Sequence, residues 1–170
     1  MDEFRVFTIN NRDFPDPKRM NKYLHDNGFH SVYMIDPGVK VDDNYFVYKT
    51  GKEQNAFVCD IYRNEFHGKV WPGACAFPDF TRPETRTWWS GLYKDFMANG
   101  IDGIWNDMNE PSVFDGPGGT MPENNIHLGG GNLPIGSHLM YHNAYGRLMV
   151  EASYNGMMAA NPSKRPFLLS

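Results

Sequence analysis

Apolar and polar residues recur along the chain in three units, each of which predicts a helix followed by a strand. In the first unit, Asp16-Pro17 can cap and open a helix that we expect to run from about Lys18 to Asn27, and Gly28 can end it. The β-rich run from His30 to Ile35 follows and ends in Asp36-Pro37-Gly38, a polar turn. This unit therefore predicts a strand with a carboxylate at its carboxyl end.

The second unit contains the best-marked helix. Thr81 and Glu84 have the spacing of a capping box, which predicts the start of the helix, and Gly100 predicts its end. The apolar stripe at i, i+4 spacing consists of Trp88, Leu92 and Phe96 together with Trp89, Tyr93 and Met97. The short apolar run from Ile101 to Trp105 comes next and is typical of a buried parallel strand.

The third unit follows a loop rich in Gly, Pro and Asn, from about Ser112 to Gly136. We expect a helix to start near Ser137 and a strand to cover Arg165 to Leu169. The apolar side of this helix consists of Tyr141, Ala144, Tyr145, Leu148, Met149 and Ala152. Helices that alternate with parallel strands predict an α/β sheet, and right-handed crossovers allow either a barrel or a doubly wound sheet.

One segment interrupts this alternation. From Val41 to about Trp71 the pattern consists of short aromatic segments and polar turns. Within it, Tyr45-Phe46-Val47-Tyr48 and Phe57-Val58 predict short strands. We therefore expect a β-rich excursion between the first strand and the second helix.

The length and net charge of the chain bear on how much of a barrel it can form and on which partners it can bind. The chain has 170 residues, whereas a complete eight-stranded barrel usually needs about 250. Sixteen basic and twenty acidic side chains give a net charge of −4 with no block of like charge, so neither a nucleic-acid partner nor a membrane partner is expected. The chain shows no basic-plus-apolar leader and no apolar run near 18 residues. Its many aromatic residues suit a core, and also an enzyme that packs rings on sugars.

The stretch from Gly103 to Pro111 is the strongest functional signal. An apolar run ends there in Asp107 and Glu110, with two amide side chains and Trp105 close by. Active sites of parallel α/β barrels lie at the carboxyl ends of the strands, and a carboxylate beside an indole ring suits glycoside hydrolysis. The alternative interpretation is an Asp-Asn turn that closes the strand and is stopped by Pro111.

The sequence from Trp105 to Phe114 resembles the nucleophile signature of the α-glucosidase branch of glycoside hydrolase family 31. Other blocks follow the same family's order over essentially the whole chain. They are Met1-Asp2 with Phe4 and Phe7-Thr8, Phe14-Pro15-Asp16-Pro17, Ile35-Asp36-Pro37-Gly38, Tyr45-Phe46-Val47-Tyr48, Val70-Trp71-Pro72-Gly73, Phe77-Pro78-Asp79-Phe80, His142-Asn143 with Tyr145-Gly146, and Arg165-Pro166-Phe167. Asp-Met-Asn-Glu-Pro is similar to the glucosidases, above all the neutral type that includes glucosidase II catalytic subunits, rather than to the α-xylosidases or sulfoquinovosidases.

The resemblance implies that the chain is part of a (β/α)8 barrel, with the amino- and carboxyl-terminal parts of the barrel outside it. It also implies that Asp107 is the nucleophile of a retaining mechanism and that Glu110 supports it. The acid/base is expected on an aspartate downstream of Ser170, so the 170 residues alone are expected to be inactive. The remaining parts of the full-length enzyme are then the partner of this chain.

The resemblance also assigns the sugar pocket. Asp36 is expected to bind a hydroxyl of a nonreducing-end glucose. Trp71, Trp105 and Met108 match family positions that wall this pocket, although for Trp71 alone core packing is the better interpretation. Asp2 is expected to be structural. The substrate is accordingly an α-glucoside or oligosaccharide.

No cofactor or metal is expected. His138 and His142 have the i, i+4 spacing of two zinc ligands, but the chain between them carries no catalytic Glu, and the six histidines form no other cluster. Two alternatives to an α-glucosidase stay open. One is an α-glucan lyase or transglucosidase that uses the same nucleophile, and the other is an inert carbohydrate-binding remnant.

Overall fold

The computed structural model describes all 170 residues and contains four helices and eight short strands. In chain order the elements are α1 (Pro17–Asp26), β1 (Val32–Ile35), β2 (Val39–Lys40), α2 (Phe46–Glu53), β3 (His67–Val70), β4 (Gly73–Ala76), α3 (Pro83–Met97), β5 (Gly103–Asn106), a 3-10 turn (Pro117–Gly119), β6 (Ile126–His127), β7 (Gly136–Ser137), α4 (His138–Ala160) and β8 (Phe167–Leu169). None of the four helices is both long enough and apolar enough to cross a bilayer.

The central sheet is parallel and has the strand order β1-β5-β8. Val32 pairs with Gly103, and Gly103 pairs with Phe167 on its other side. Helices α3 and α4 connect these strands, so each of the three predicted helix-then-strand units is present. The α/β fold predicted from the alternation is therefore confirmed.

The two faces of this sheet differ sharply in burial. Side chains alternate between faces along a strand, and the row facing α3 and α4 includes Ile35 and Ile104, each 0% exposed. The opposite row consists of Val32 (44% exposed), Met34, Trp105 (40%), Phe167 (57%) and Leu169 (51%). Apolar side chains thus cover both faces, but the chain itself buries only one of them.

Aromatic rings fill the space between the sheet and its helices. Phe7 packs edge-on against Trp89, Tyr93 and Phe96 of α3, with ring centroids 5.1, 5.0 and 5.5 Å apart. The Tyr93 hydroxyl donates to Ser153 Oγ at 2.8 Å and so joins α3 to α4. The apolar stripe predicted for α3 forms this core, with Leu92 and Met97 only partly buried at its edge.

The β-rich excursion is an antiparallel sheet with the order β2-β4-β3, as expected between β1 and α3. Two predictions within it are wrong: residues 45–48 form the start of helix α2 and not a strand, and Phe57-Val58 forms no strand. Val47 and Tyr48 are buried, whereas Phe46 is about half exposed and Lys49 is exposed, which is a helical pattern of burial. Phe57 makes only an isolated bridge to Pro78. The β propensity of aromatic residues is therefore overridden by packing.

The predicted capping box is also wrong. Helix α3 begins at Pro83 after Arg82, with no side-chain cap. The Thr81 hydroxyl instead donates to Asp79 Oδ1 at 2.6 Å. Asp79 is fully buried, and its other oxygen accepts the Leu128 N–H at 2.6 Å. Satisfying this buried carboxylate takes precedence over capping the helix.

A chain of buried imidazoles continues from Asp79 to the start of α4. His127 Nδ1 lies 2.9 Å from Asp79 Oδ1, and His127 Nε2 lies 3.0 Å from His138 Nδ1. The rings of His138 and His142 stack with centroids 5.1 Å apart. Burial and the two neighbouring histidines lower the pKa of His138 to about 4. His138 thus belongs to a buried hydrogen-bonded network, and His142, one helical turn further on, stacks against it.

Candidate functional site

Two carboxylates lie side by side at the carboxyl end of the parallel sheet. Ile35 pairs with Asn106 as the last residues of β1 and β5, and the Asp107 N–H donates to Ile35 O at 3.3 Å. Asp36 and Asp107 each follow a strand, and by alternation both point to the face opposite α3 and α4. The register of two neighbouring strands therefore brings these two predicted site residues together.

Asp36 is a buried carboxylic acid with a shifted pKa. It is 6% exposed, and its Oδ1 is buried and accepts no hydrogen bond from the protein. Burial, and then the charges of Asp107 and Glu110, raises the pKa of Asp36 to about 7. A buried carboxyl with a free oxygen and a shifted pKa is a feature of functional sites.

The turn after Asp36 is held by close packing. A side chain on Gly38 has no room, because its Cβ would lie 2.5 Å from Val70 Cγ2 and 3.6 Å from the Cys75 side chain. Strands β3 and β4 thus press on the β1 turn from one side. The β-rich excursion therefore helps to bury Asp36.

The segment after Asp107 is constrained. Met108 has a φ of +59°, a left-handed conformation that is unusual for a bulky side chain and concentrates at functional sites. Glu110 is exposed, and its Oε2 accepts a hydrogen bond from Ser112 Oγ at 3.1 Å. The Thr120 hydroxyl donates to Pro111 O at 2.6 Å and anchors the far side of the loop.

Aromatic side chains lie at the end of β5 and in the turn between β3 and β4. Trp105 lies on the same face of β5 as Asp107 and is partly exposed. Trp71 lies in the β3–β4 turn and stacks on Phe4 at 6.2 Å, while Phe114 contacts it edge-on at 5.0 Å. Each of these last three rings is about half exposed. Phe4 and Phe114 were not expected beside Trp71, because no sequence spacing relates them.

The contacts of Asp2 are structural. Asp2 forms an ion pair with Arg5 and receives the N–H of Arg5 on its carbonyl at 2.8 Å. The chain contains no group of three or more His, Cys, Asp or Glu side chains arranged to hold a metal ion. The chemistry at the strand ends is therefore that of carboxylates and aromatic rings.

Carboxylates at the carboxyl ends of parallel strands, beside aromatic side chains, are the arrangement that glycoside hydrolases use. The family model described as "Glycosyl hydrolases family 31 TIM-barrel domain" matches residues 1–170. The chain belongs to this family. The fold class expected from the resemblance is thereby confirmed.

Individual relatives with similar sequences are named as α-glucosidases. Alpha-glucosidase 2 of Bacillus thermoamyloliquefaciens is 43% identical over 170 residues, which are all of this chain and 21% of the relative. Neutral alpha-glucosidase C of Homo sapiens is 39% identical, over 98% of this chain and 18% of the relative. The chain thus spans about a fifth of the length of these curated relatives.

Solved structures of the family superpose closely on this fold. A Family 31 alpha-glucosidase from Bacteroides thetaiotaomicron matches with a TM-score of 0.81 and 53% identity, over 99% of this chain and 26% of that one. The glucosidase II alpha subunit matches with a TM-score of 0.89 and 37% identity, over 99% of this chain and 18% of that one. These relatives are named as α-glucosidases, so the α-glucosidase branch inferred from the motif wording is supported.

Proposed function

We propose that this chain is the nucleophile-bearing part of a retaining α-glucosidase that releases glucose from the nonreducing ends of α-glucosides. The observation that carries the proposal is Asp107 at the end of β5, one strand away from the buried Asp36 and followed by the strained Met108. Family membership and the names of the relatives support the same reaction class.

In the proposed mechanism, Asp107 attacks the anomeric carbon of the bound glucose. A carbon–oxygen bond to the carboxylate forms as the bond to the leaving oxygen breaks, and an acid protonates that oxygen. Water then cleaves the glycosyl ester, with the same acid acting as base. A retaining enzyme needs its two carboxyl groups about 5 to 5.5 Å apart. We assign the acid to a residue downstream of Ser170, and Glu110 to a supporting role.

The sugar pocket is proposed to combine one polar anchor with apolar walls. The free Oδ1 of Asp36 is available to accept a glucose hydroxyl. Trp105 and Met108 flank Asp107, and Trp71 extends the wall with its aromatic neighbours. An aromatic ring packs well on the apolar face of a sugar, while a buried acceptor selects for the hydroxyl.

The reaction can be tested by following the products in the full-length protein. Proton NMR of p-nitrophenyl α-glucoside cleavage is expected to show α-glucose first, because two displacements at one carbon retain its configuration and the released phenol has no anomeric carbon. A first-formed β-anomer contradicts the retaining mechanism. An unsaturated anhydro sugar identifies a lyase, and new oligosaccharides at low maltose concentration identify a transglucosidase.

We further propose that these 170 residues form part of one barrel domain and do not work alone. They supply three parallel strands, whereas a closed barrel has eight, and one apolar face of their sheet is open. Expressed separately, the 170 residues are expected to associate or lack fixed tertiary packing, and to hydrolyse no α-glucoside. A monomer with a strong near-UV circular dichroism signal and retaining activity contradicts this.

A further inference from the structure

The backbone oxygen of Ile35 joins the ends of β1 and β5. It belongs to the same peptide group as the N–H of Asp36, and it accepts the N–H of Asp107 at 3.3 Å. It also accepts a hydrogen bond from Nδ2 of the Asn106 side chain at 3.4 Å. Two donors at the end of β5 thus meet one acceptor at the end of β1, which ties the backbone of Asp36 to that of Asp107.

Each of these two contacts is weak by itself. Hydrogen bonds from N–H to oxygen usually have heavy-atom distances of about 2.7 to 3.2 Å, and both of these are longer. The main-chain bond from Asp107 alone therefore holds the strand ends loosely. The amide of Asn106 adds a second donor at the point where the two carboxylate-bearing residues begin.

The side chain of Asn106 lies on the closed face of the sheet. Asn106 pairs with Ile35, so both side chains point toward α3 and α4, and Asn106 is 1% exposed. Asp36 and Asp107 point to the opposite face, where the proposed sugar pocket lies. Asn106 therefore touches no bound sugar, and any effect that it has on the reaction passes through the two strand ends.

A buried polar cluster contacts the Asn106 amide. The hydroxyl of Tyr93 on α3 donates to Ser153 Oγ on α4 at 2.8 Å. Burial raises the pKa of Tyr93 to about 12, while hydrogen-bonding contacts from Ser153 and Asn106 oppose that shift. The amide thus contacts the side chains that join the two helices, and the strand ends are braced against α3 and α4.

The free oxygen of this amide distinguishes Asn106 from an ordinary core residue. Its Oδ1 is buried and has no hydrogen-bond partner. An unpaired buried acceptor destabilises a fold, whereas an apolar side chain of similar shape costs little. Stability alone therefore favours leucine at this position, and the contact made by Nδ2 gives a reason for the amide.

We propose that Asn106 is a positioning residue that sets the separation between Asp36 and Asp107 by bracing the ends of β1 and β5 from the closed face. This inference rests on the proposed function, in which Asp36 holds a glucose hydroxyl and Asp107 attacks the same sugar. The separation of the two carboxylates then places the sugar relative to its nucleophile. A displacement of about 1 Å between reacting groups lowers the rate by roughly 10²-fold.

The first test is Asn106→Leu in the full-length protein, assayed with p-nitrophenyl α-glucoside. We expect kcat to fall by roughly 10- to 10²-fold and KM to change by less than about 3-fold, because the groups that bind the sugar are kept while the nucleophile is displaced. The melting temperature should stay the same or rise, since the unpaired Oδ1 is removed. An unchanged kcat, or a fall in kcat explained by loss of folded protein, overturns the proposal.

Asn21→Leu is the matched control. Asn21 is also fully buried, and its Nδ2 also donates to a backbone oxygen, that of Asn99, at 2.8 Å. It lies on α1 and contacts neither strand end that carries a carboxylate. This variant should lose stability and keep the kcat and KM of the unmodified protein. A fall in kcat like that of Asn106→Leu would trace the effect to general stability and overturn the proposal.

A double-mutant cycle with Asp36→Asn tests the separation itself. If Asn106 places Asp36 relative to Asp107, Asn106→Leu should lower kcat/KM by less than about 3-fold once the Asp36 anion is gone. Independent, additive losses contradict the proposal.

A second variant keeps the test decisive if Asn106→Leu does not fold. Tyr93→Phe keeps the buried ring and removes the hydroxyl beside Asn106, so kcat should fall in the same way by roughly 3-fold or more. An unchanged kcat in this variant contradicts the bracing. If the unmodified protein cleaves no α-glucoside, the proposed function itself fails, which is a different result from normal turnover in Asn106→Leu.

Discussion

The two faces of the β1–β5–β8 sheet are made from the same strands but differ in burial and in the residues that they carry. The face toward α3 and α4 is closed, and its residues Ile35 and Ile104 have no solvent exposure. The opposite face leaves Trp105 40% and Leu169 51% exposed and carries Asp36 and Asp107 at its carboxyl end. One face thus stabilises this part of the barrel, while the other carries the two carboxylates of the proposed site. Substitutions should separate the two.

The largest effect is expected at Asp107, the proposed nucleophile. Asp107→Asn keeps the size of the side chain but removes the nucleophilic charge, so turnover should fall by roughly three or more orders of magnitude. Because Asp107 lies on the open face, the melting temperature should hardly move. Steady-state kinetics with thermal unfolding checks both. Activity near that of the unmodified protein would remove Asp107 from the mechanism.

The next effect contrasts two tryptophans. Trp89 is fully buried and packs edge-on against Phe7 and Phe80, so Trp89→Ala should destabilise the fold by about 3 to 5 kcal/mol. Trp105→Ala, on the other face, should raise KM for α-glucosides with a much smaller loss of stability. Urea unfolding and kinetics on both variants measure this. The reverse pattern would mean that the two faces have been assigned the wrong way round.

Asp36 should affect recognition more than stability. Asp36→Asn is expected to lower kcat/KM by roughly 10²-fold, because a hydroxyl loses its anionic acceptor. The pKa of Asp36 is raised from 3.8 to about 7, so the folded state loses stability as the pH rises from about 4 to about 7. The variant should therefore melt at a higher temperature than the unmodified protein at pH 8 and gain little at about pH 4. Asp43→Asn, at an exposed site, is the control.

A smaller effect concerns acid stability on the closed side. The pKa of His138 is lowered to about 4, and that of Asp79 lies below its usual value because His127 and Thr81 hydrogen-bond to it despite its burial. Both groups bind protons more readily when unfolded. The contribution of His138 is therefore complete above about pH 6.5 and is lost as the pH falls to about 4, by up to about 3 kcal/mol, whereas that of Asp79 is lost only below about pH 4.

Thermal unfolding from pH 7 to 4.5 measures this loss. His138→Gln should flatten the pH dependence, whereas His30→Gln, which replaces a side chain that is 82% exposed beside Asp102, should change it far less. A flat profile for the unmodified protein would show that the buried imidazoles do not control acid stability.

Local patterns predicted the fold where local forces decide it. The sequence predicts the apolar stripe of α3 and the apolar side of α4, because helical periodicity involves residues only three or four positions apart. Residues 45–48 were mistaken for a strand, since their burial depends on contacts that spacing does not show. Thr81 does not cap the helix because its hydroxyl donates to the buried Asp79, a contact that the spacing of Thr81 and Glu84 does not reveal. In such cases tertiary demand outweighs local propensity.

The candidate site also contains residues that the sequence predicts and contacts that it does not. Asp107 could be found from the end of an apolar run, and Asp36 from a similar position on another strand. Their meeting depends on strand register, and Asn109 meets Ser170 across 61 positions of sequence. Asp79 and His127 are 48 positions apart. Contacts between residues so far apart in sequence are set by the topology of the fold, so no local sequence motif predicts them.

The central claim is that Asp107 attacks the sugar, and trapping the intermediate tests it most directly. A fluorinated α-glucoside with a good leaving group should label the full-length protein once per active site, and peptide mass spectrometry should place the label on Asp107. The Asp107→Asn variant should take up no label. A label on Glu110 or Asp36, or turnover with no covalent intermediate, would contradict the account.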